Sequence, residues 1–369
     1  MAATGPRVPL APGYTISRLI KGGWQLAGGH GPVPADTAVA DMQTFVEAGI
    51  TTFDCADIYT GVESLIGDFV RRRGHARDLQ IHTKYVPDLA SLGTQTAGDV
   101  TRAVDRSLRR LGVEALDLVQ FHWWDYDRPG LLDTAGWLND VRRAGKIRHI
   151  GATNFNAPVL QTLIDDGVPI VAHQVQYSLL DARPAGAMHR LCEARGVPLL
   201  CYGALAGGFL SERYLGVGAP VELANRSLVK YRLIIDEFGG WHRFQHALAA
   251  VHRVARKHHA TIGAVAIAWV LEQPHVAGVI VGARDARHLA GTLAASVLVL
   301  DETDRSALRD ARQEGSPVPG DVYDLEREKG GRHAAIMRYD LNRPAGPEAR
   351  GPGTGHNSAR RARFTQGIE

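Results

Sequence analysis

The chain has 369 residues, 45% of them hydrophobic and 22% charged, which is enough apolar material for a large core. Its 42 basic side chains stand against 39 acidic ones, a net charge of +3, and no basic stripe interleaved with aromatics favours nucleic acid as a partner. The three cysteines, Cys55, Cys192 and Cys201, have neither CxxC spacing nor a regular framework and read as reduced thiols of a cytosolic protein.

Residues 1–13, rich in Pro and Gly, read as a flexible arm, and TISRLIKGGWQ as a first strand stopped by Gly22 and Gly23. A Gly/Pro loop comes next, and Asp36 is placed to cap a helix reaching Ala48, with Val39, Met42, Phe45 and Val46 on one face. From there strands are predicted at 51–54, 79–84, 116–122, 147–153, 170–177, 198–202 and 278–281. Helical patterns fall between them at 62–73, 98–111, 132–144, 157–166 and 187–195. Regular βα alternation argues for a parallel sheet, and eight such units closing on themselves make a (β/α)8 TIM barrel.

One connection departs from the pattern. The stretch between Tyr202 and a helix near Trp241 is too long for an ordinary barrel loop, and such loops are functional. A helix at 261–272, the last strand, a final helix after Asp301 and a segment packing against the barrel complete a unit spanning 14–344. Residues 345–369, rich in Gly, Pro and Arg, are expected to be a disordered tail. MAATGPRVPLAPG lacks the apolar run of a signal peptide. The longest apolar helix falls well short of the roughly 20 residues that cross a bilayer, so a cytoplasmic location is expected.

The chemistry centres on TTFDCADIYTGVESLIG, residues 51–67: a short strand ending in Asp54, a polar loop carrying Tyr59, then an amphipathic helix. Lys84 ends the next strand and His122 the one after. Singly, each has an ordinary explanation: a turn cap, a packed ring, a solvated amine, a satisfied core imidazole. Together they fall at the C-terminal ends of three successive strands, which in a barrel share one mouth. A hydride arriving at a carbonyl carbon leaves an alkoxide that needs a proton at close range. A free tyrosine, with a pKa of about 10, becomes a better donor if an adjacent ammonium favours its phenolate, and Asp54 would hold that ammonium in place. His122 could donate a hydrogen bond to the carbonyl oxygen, where charge develops. Trp24, Tyr85, Trp123 and Trp124 follow strand ends and are candidates to line an apolar substrate pocket, with packing an equal alternative for at least Trp124. His242 and His246 have i, i+4 spacing without an HExxH acid and read, like His258 and His259, as a solvated face rather than a metal site.

These words resemble the aldo-keto reductases: FDCADIYTGVESLIG, TK at Lys84, LDLVQFHW, GATNF at 151–155, QVQYS at 174–178 and CYGALAGG at 201–208. The likeness runs from about Thr15 to Leu293. It implies that Tyr59 is the general acid, Lys84 and Asp54 its tuning pair, and His122 the residue that orients the carbonyl. It further implies a nicotinamide cofactor held across the C-terminal face, in keeping with the absence of GxGxxG and GxxxxGK[ST] words. By the same resemblance Thr153, Asn154 and Gln174 bind the carboxamide and Tyr202 stacks on the ring. Gly203, Leu205 and Gly208 approach the pyrophosphate. VIVGARDARHLAGTL, with Gly282 and Arg284, resembles the family's last strand and the helix start after it, and Arg284 there suits a 2′-phosphate. NADP is thereby favoured over NAD, although His288, Gly291 and Thr292 stand where the family often has Gln, Glu and Asn. The expected activity is NAD(P)H-dependent reduction of an aldehyde or ketone, or the reverse. Two rivals are a nicotinamide-binding redox sensor with little turnover, resembling potassium-channel β subunits, and a barrel glycosidase pairing Asp54 with Asp57 or Asp125.

Overall fold

The structure, a computed structural model, describes residues 6–342. Residues 1–5 and the predicted tail at 345–369 lie outside that range. Residues 7–11, expected as part of a loose arm, instead form β1 (Arg7–Ala11), paired antiparallel with β2 (Tyr14–Ser17). The predicted first strand therefore divides at Arg18: its first half belongs to this hairpin, and only β3 (Leu19–Gly22) enters the barrel. Leu10 and Ile16 from the hairpin pack with Ile20, Leu118, Ala172, Leu200, Ala277 and Ile280, so the hairpin supplies the apolar floor of the barrel.

After α1 (Ala35–Glu47) the alternation is regular: β4 (Thr52–Asp54), α2 (Val62–Arg73), β5 (Gln80–Tyr85), α3 (Ala97–Leu111), β6 (Leu116–Phe121), α4 (Leu131–Arg143), β7 (Ile147–Thr153), α5 (Ala157–Asp165), β8 (Ile170–Gln176), α6 (Ala187–Arg195) and β9 (Leu199–Tyr202). The chain continues through α7 (Arg226–Glu237), α8 (Gly240–Lys257), α9 (Ile262–Leu271), β10 (Val276–Gly282), α10 (Leu289–Ala295), α11 (Glu302–Gln313) and α12 (Asp324–Arg327). Strands β3 to β10 close in the order β10-β3-β4-β5-β6-β7-β8-β9, every neighbouring pair parallel. All six residues of β5 are buried, as a parallel strand covered on both faces requires. The molecule is the expected (β/α)8 barrel.

Two local expectations need correction. Asp36 does not cap α1: the helix starts at Ala35 after extended Pro34, with no side-chain cap. Asp36 instead lies in the first turn, where a carboxylate suits the helix dipole, and pairs with Arg72 at 2.6 Å. The long connection after β9 is only partly loop. Asn225 accepts the Leu228 N–H at 3.0 Å and starts α7, whose Tyr231, Ile234 and Ile235 are buried. That cap and the spacing of Leu228, Tyr231 and Ile235 were visible in the sequence as a helix.

Candidate functional site

Asp54 ends β4 inside the barrel, 3% exposed, and its carboxylate ties four strands together. Oδ2 accepts from Lys84 Nζ of β5 at 2.7 Å, while Oδ1 accepts from Gln120 of β6 at 3.0 Å and Gln174 of β8 at 2.7 Å. Lys84 also donates to the Cys55 carbonyl at 2.8 Å and sits 5.0 Å from the centre of the Tyr59 ring. Trp24 meets that ring edge-on at 5.1 Å and donates its indole N–H to Ser227 at 3.0 Å. The end of β4 and the first residue of α2 leave no room for a side chain at Gly23. A Cβ there would come within 2.7 Å of Val62 and 2.9 Å of the Asp54 carbonyl.

Burial lowers the basicity of Lys84, but Asp54 and Tyr59 outweigh it and leave the ammonium held well above its ordinary range. For Tyr59 the balance differs from the sequence expectation. Burial raises the phenol, Lys84 pulls it down, and the net is above the ordinary tyrosine value, because the ring lies where a phenolate would lose its hydration.

His122 comes directly after β6, 1% exposed. Burial, reinforced by Arg327, depresses its pKa to about 3, so the ring is neutral. Nδ1 lies 3.1 Å from the Thr153 carbonyl; a carbonyl only accepts, so the proton is on Nδ1. Nε2 is then a bare lone pair, and it has no partner among the described residues. With the proton on Nδ1, Nε2 would accept a hydrogen bond, whereas the sequence expectation has it donate to a carbonyl oxygen.

His122 shares its depression with two imidazoles of the barrel interior, His82 and His173, each brought to about 4 chiefly by burial. An unfolded histidine titrates near 6.5, so the folded state holds fewer protons than the unfolded one below that pH. The stability these groups contribute is complete above pH 6.5 and is lost as pH falls through the folded values, at about 1.4 kcal/mol per pH unit for each group. Melting measured from about pH 7.5 down to 4.5 should show the temperature falling progressively; a flat profile would mean these rings are hydrated.

The cofactor-binding candidates lie around the ends of β7, β8, β9 and β10. Asn154, after β7, adopts a left-handed backbone at φ 63 and accepts the Tyr202 hydroxyl at 2.9 Å, so the ends of β7 and β9 are joined. Thr153 is buried and its Oγ1 has no partner among the described residues. The amide nitrogen of Gln174 is already engaged by Asp54 and by Gln120. Gly203 (φ +80) could carry no side chain, since a Cβ would lie 2.5 Å from the Tyr231 hydroxyl, whereas Gly208 (φ +105) faces open space. Leu205 precedes that turn. Gly282 ends β10 under the Gln25 side chain. Arg284, exposed beside Gly31, has no acidic partner among the described residues.

Tyr85 and Trp123 do not face the mouth. Tyr85 is 5% exposed and hydrogen-bonds Gln95, and Trp123 is fully buried against Phe121. Alternation along a strand explains this. Lys84 and His122 point inward, so their neighbours point outward into the helix layer. The same parity brings in Gln120, two residues before His122, which the sequence reading missed, and keeps Trp124, two after, which stands edge-on to His122 at 4.3 Å. Tyr323, from the segment before α12, meets His122 at 5.6 Å; nothing in its local sequence announces that. The glycosidase pairing fares poorly: Asp54 is engaged by three donors, Asp57 accepts from Val86 N–H at 3.2 Å, and Asp125 accepts from Asp127 N–H and pairs with Lys329. His242 and His246 lie with ring centres 4.4 Å apart and their planes tilted, and His246 faces Glu314.

A model of the Aldo/keto reductase family matches residues 18–313. The chain belongs to that family. It is 29% identical over 280 residues to Aldo-keto reductase str7 of Strobilurus tenacellus, covering 74% of this chain and 80% of that protein. It is 25% identical over 328 residues to the NADH-specific methylglyoxal reductase of Escherichia coli, covering 80% and 94%. Among solved structures, the thermostable aldo-keto reductase Tm1743, crystallised with the inhibitor epalrestat, superposes with a TM-score of 0.67 at 27% identity, covering 83% of this chain and 99% of that one. As an aldo/keto reductase, the protein is an enzyme acting on carbonyl or alcohol groups, in a family that uses nicotinamide cofactors. No helix among the described residues is long and apolar enough to cross a membrane.

Proposed function

We propose that the enzyme reduces an aldehyde or ketone, or oxidises the alcohol, with Tyr59 passing the proton. The supporting observation is the contact of Lys84 with both Asp54, at 2.7 Å, and the Tyr59 ring. A phenol kept protonated by burial is a donor throughout neutral pH, and the fixed ammonium beside it stabilises the phenolate left after donation. Asp54, held by three donors, keeps that ammonium from wandering. His122 contributes a lone pair at Nε2: once Tyr59 has given its proton to the oxygen, the new O–H can turn to that lone pair, which holds the product alcohol. Trp24, Trp124 and Tyr323 give this oxygen an aromatic surround.

A nicotinamide cofactor supplies the hydride when bound. The fit rests on Thr153 Oγ1, which is buried and unpartnered among the described residues, and such an atom calls for a polar ligand. Thr153 and Asn154 would take the carboxamide, Gln174 has only its oxygen free of the Asp54 network, and Tyr202, steadied by Asn154, would face the ring. The turn at Gly203, Leu205 and Gly208 would approach the pyrophosphate, and Gly282 and Arg284 the adenosine end. An unpaired guanidinium there favours NADP over NAD, a choice that a family containing an NADH-specific relative leaves open.

Fluorescence titration with NADPH and NADH, then cofactor oxidation against a carbonyl panel, tests this reading. NADPH should bind more tightly, and Arg284→Ala should weaken NADPH by about tenfold or more, hydrogen bonds to charged groups being worth about 1.5–3 kcal/mol, while leaving NADH unchanged. Equal loss for both cofactors would remove Arg284 from a phosphate role. Tight NADPH binding with no turnover of any carbonyl would favour the sensor.

A further inference from the structure

The residues matched by the family model stop at 313, yet the chain beyond that point reaches the centre of the site. Asp321 accepts the Ala157 N–H at 2.8 Å and Asp324 the Asn156 side chain at 3.2 Å, which seats α12 against the start of α5. Glu326, buried, pairs with Arg183 at 3.2 Å and lies 3.5 Å from Lys230. Tyr323 enters α12 at φ 64, a left-handed conformation uncommon for an aromatic residue. Strain of this kind persists only where surrounding contacts impose it.

Arg327 is the last residue of this helix. Nη1 donates to the Asn154 carbonyl and Nη2 to the Trp123 carbonyl, each at 2.7 Å. Its guanidinium lies 4.2 Å from the Tyr126 ring centre and 5.0 Å from that of Tyr323. Trp123 is the residue after His122, and Asn154 the residue after Thr153, whose carbonyl fixes the His122 ring. We infer that Arg327 is a positioning residue: one planar fork clamps the ends of β6 and β7 and so sets His122 and the Thr153–Asn154 pair relative to one another. Arginine suits this because its two terminal nitrogens are rigidly spaced, which a lysine cannot match.

The inference deepens the reductase reading and rests on it. Its test compares wild type, Arg327→Met and Arg327→Lys, using NADPH with para-nitrobenzaldehyde, methylglyoxal and glyceraldehyde as probes. Arg327→Met should lower kcat by roughly tenfold to a hundredfold, the scale on which small misplacements act, and weaken NADPH binding. Arg327→Lys should fall between, and the kcat losses should persist at temperatures where all three proteins are fully folded. Wild-type kcat and NADPH affinity in folded Arg327→Met would overturn the clamp. If Arg327→Met does not fold, Arg327→Lys decides by the same criterion. Should wild type bind NADPH but reduce no probe, the reductase reading fails by itself, and NADPH affinity across the three proteins still decides the clamp.

Discussion

Tyr59→Phe is expected to lower carbonyl reduction by roughly a hundredfold to ten-thousandfold, the range general acid catalysis supplies, while NADPH affinity stays within about twofold of wild type. The substitution removes one oxygen and keeps the ring that packs on Trp24 and Lys84. Melting should therefore be nearly unchanged, and the loss should appear in kcat. Single-turnover measurements with saturating NADPH check it. A variant with wild-type kcat would remove the phenol from proton transfer and turn attention to water held at His122.

The second large effect is on the pair beneath that ring. Lys84→Met leaves the Asp54 carboxylate buried with only Gln120 and Gln174 as donors. Asp54→Asn leaves a buried ammonium facing an amide. Each single change is expected to cost about 3–5 kcal/mol, the penalty for stranding a charge away from water. The double variant strands none, so its cost should be well below the sum of the two, a non-additivity read from urea unfolding midpoints in a double-mutant cycle. Its activity should not return, because the cation that stabilises the Tyr59 phenolate is absent. Additive stabilities would show that water reaches the pair and screens it; recovered activity would separate Lys84 from the chemistry.

Much of this was legible in the residues. Lys84 and His122 sit at inward positions of strands whose alternation is plain in QIHTKY and LDLVQFH, and Asp54 closes a strand of three. Counting by two along the same strands also reveals Gln120, keeps Trp124 on the side of His122 and puts Tyr85 and Trp123 on the other, so parity sorts aromatic candidates that strand ends alone left together. The tautomer of His122 was not readable: it depends on the Thr153 carbonyl, 31 residues away. Nor was the net acidity of Tyr59, in which burial by the folded chain outweighs a neighbour that sequence does reveal. Arg327 lies 204 residues beyond Trp123. No local pattern marks an arginine whose partners are two backbone carbonyls brought near only by closure of the barrel.

The hairpin of β1 and β2, with Leu10 and Ile16 driven into the base of the barrel, also gives the molecule a polarity. Hydrocarbon closes that foot and the interior above it is packed rather than hollow, which leaves the opposite rim as the way in to the polar groups around Lys84.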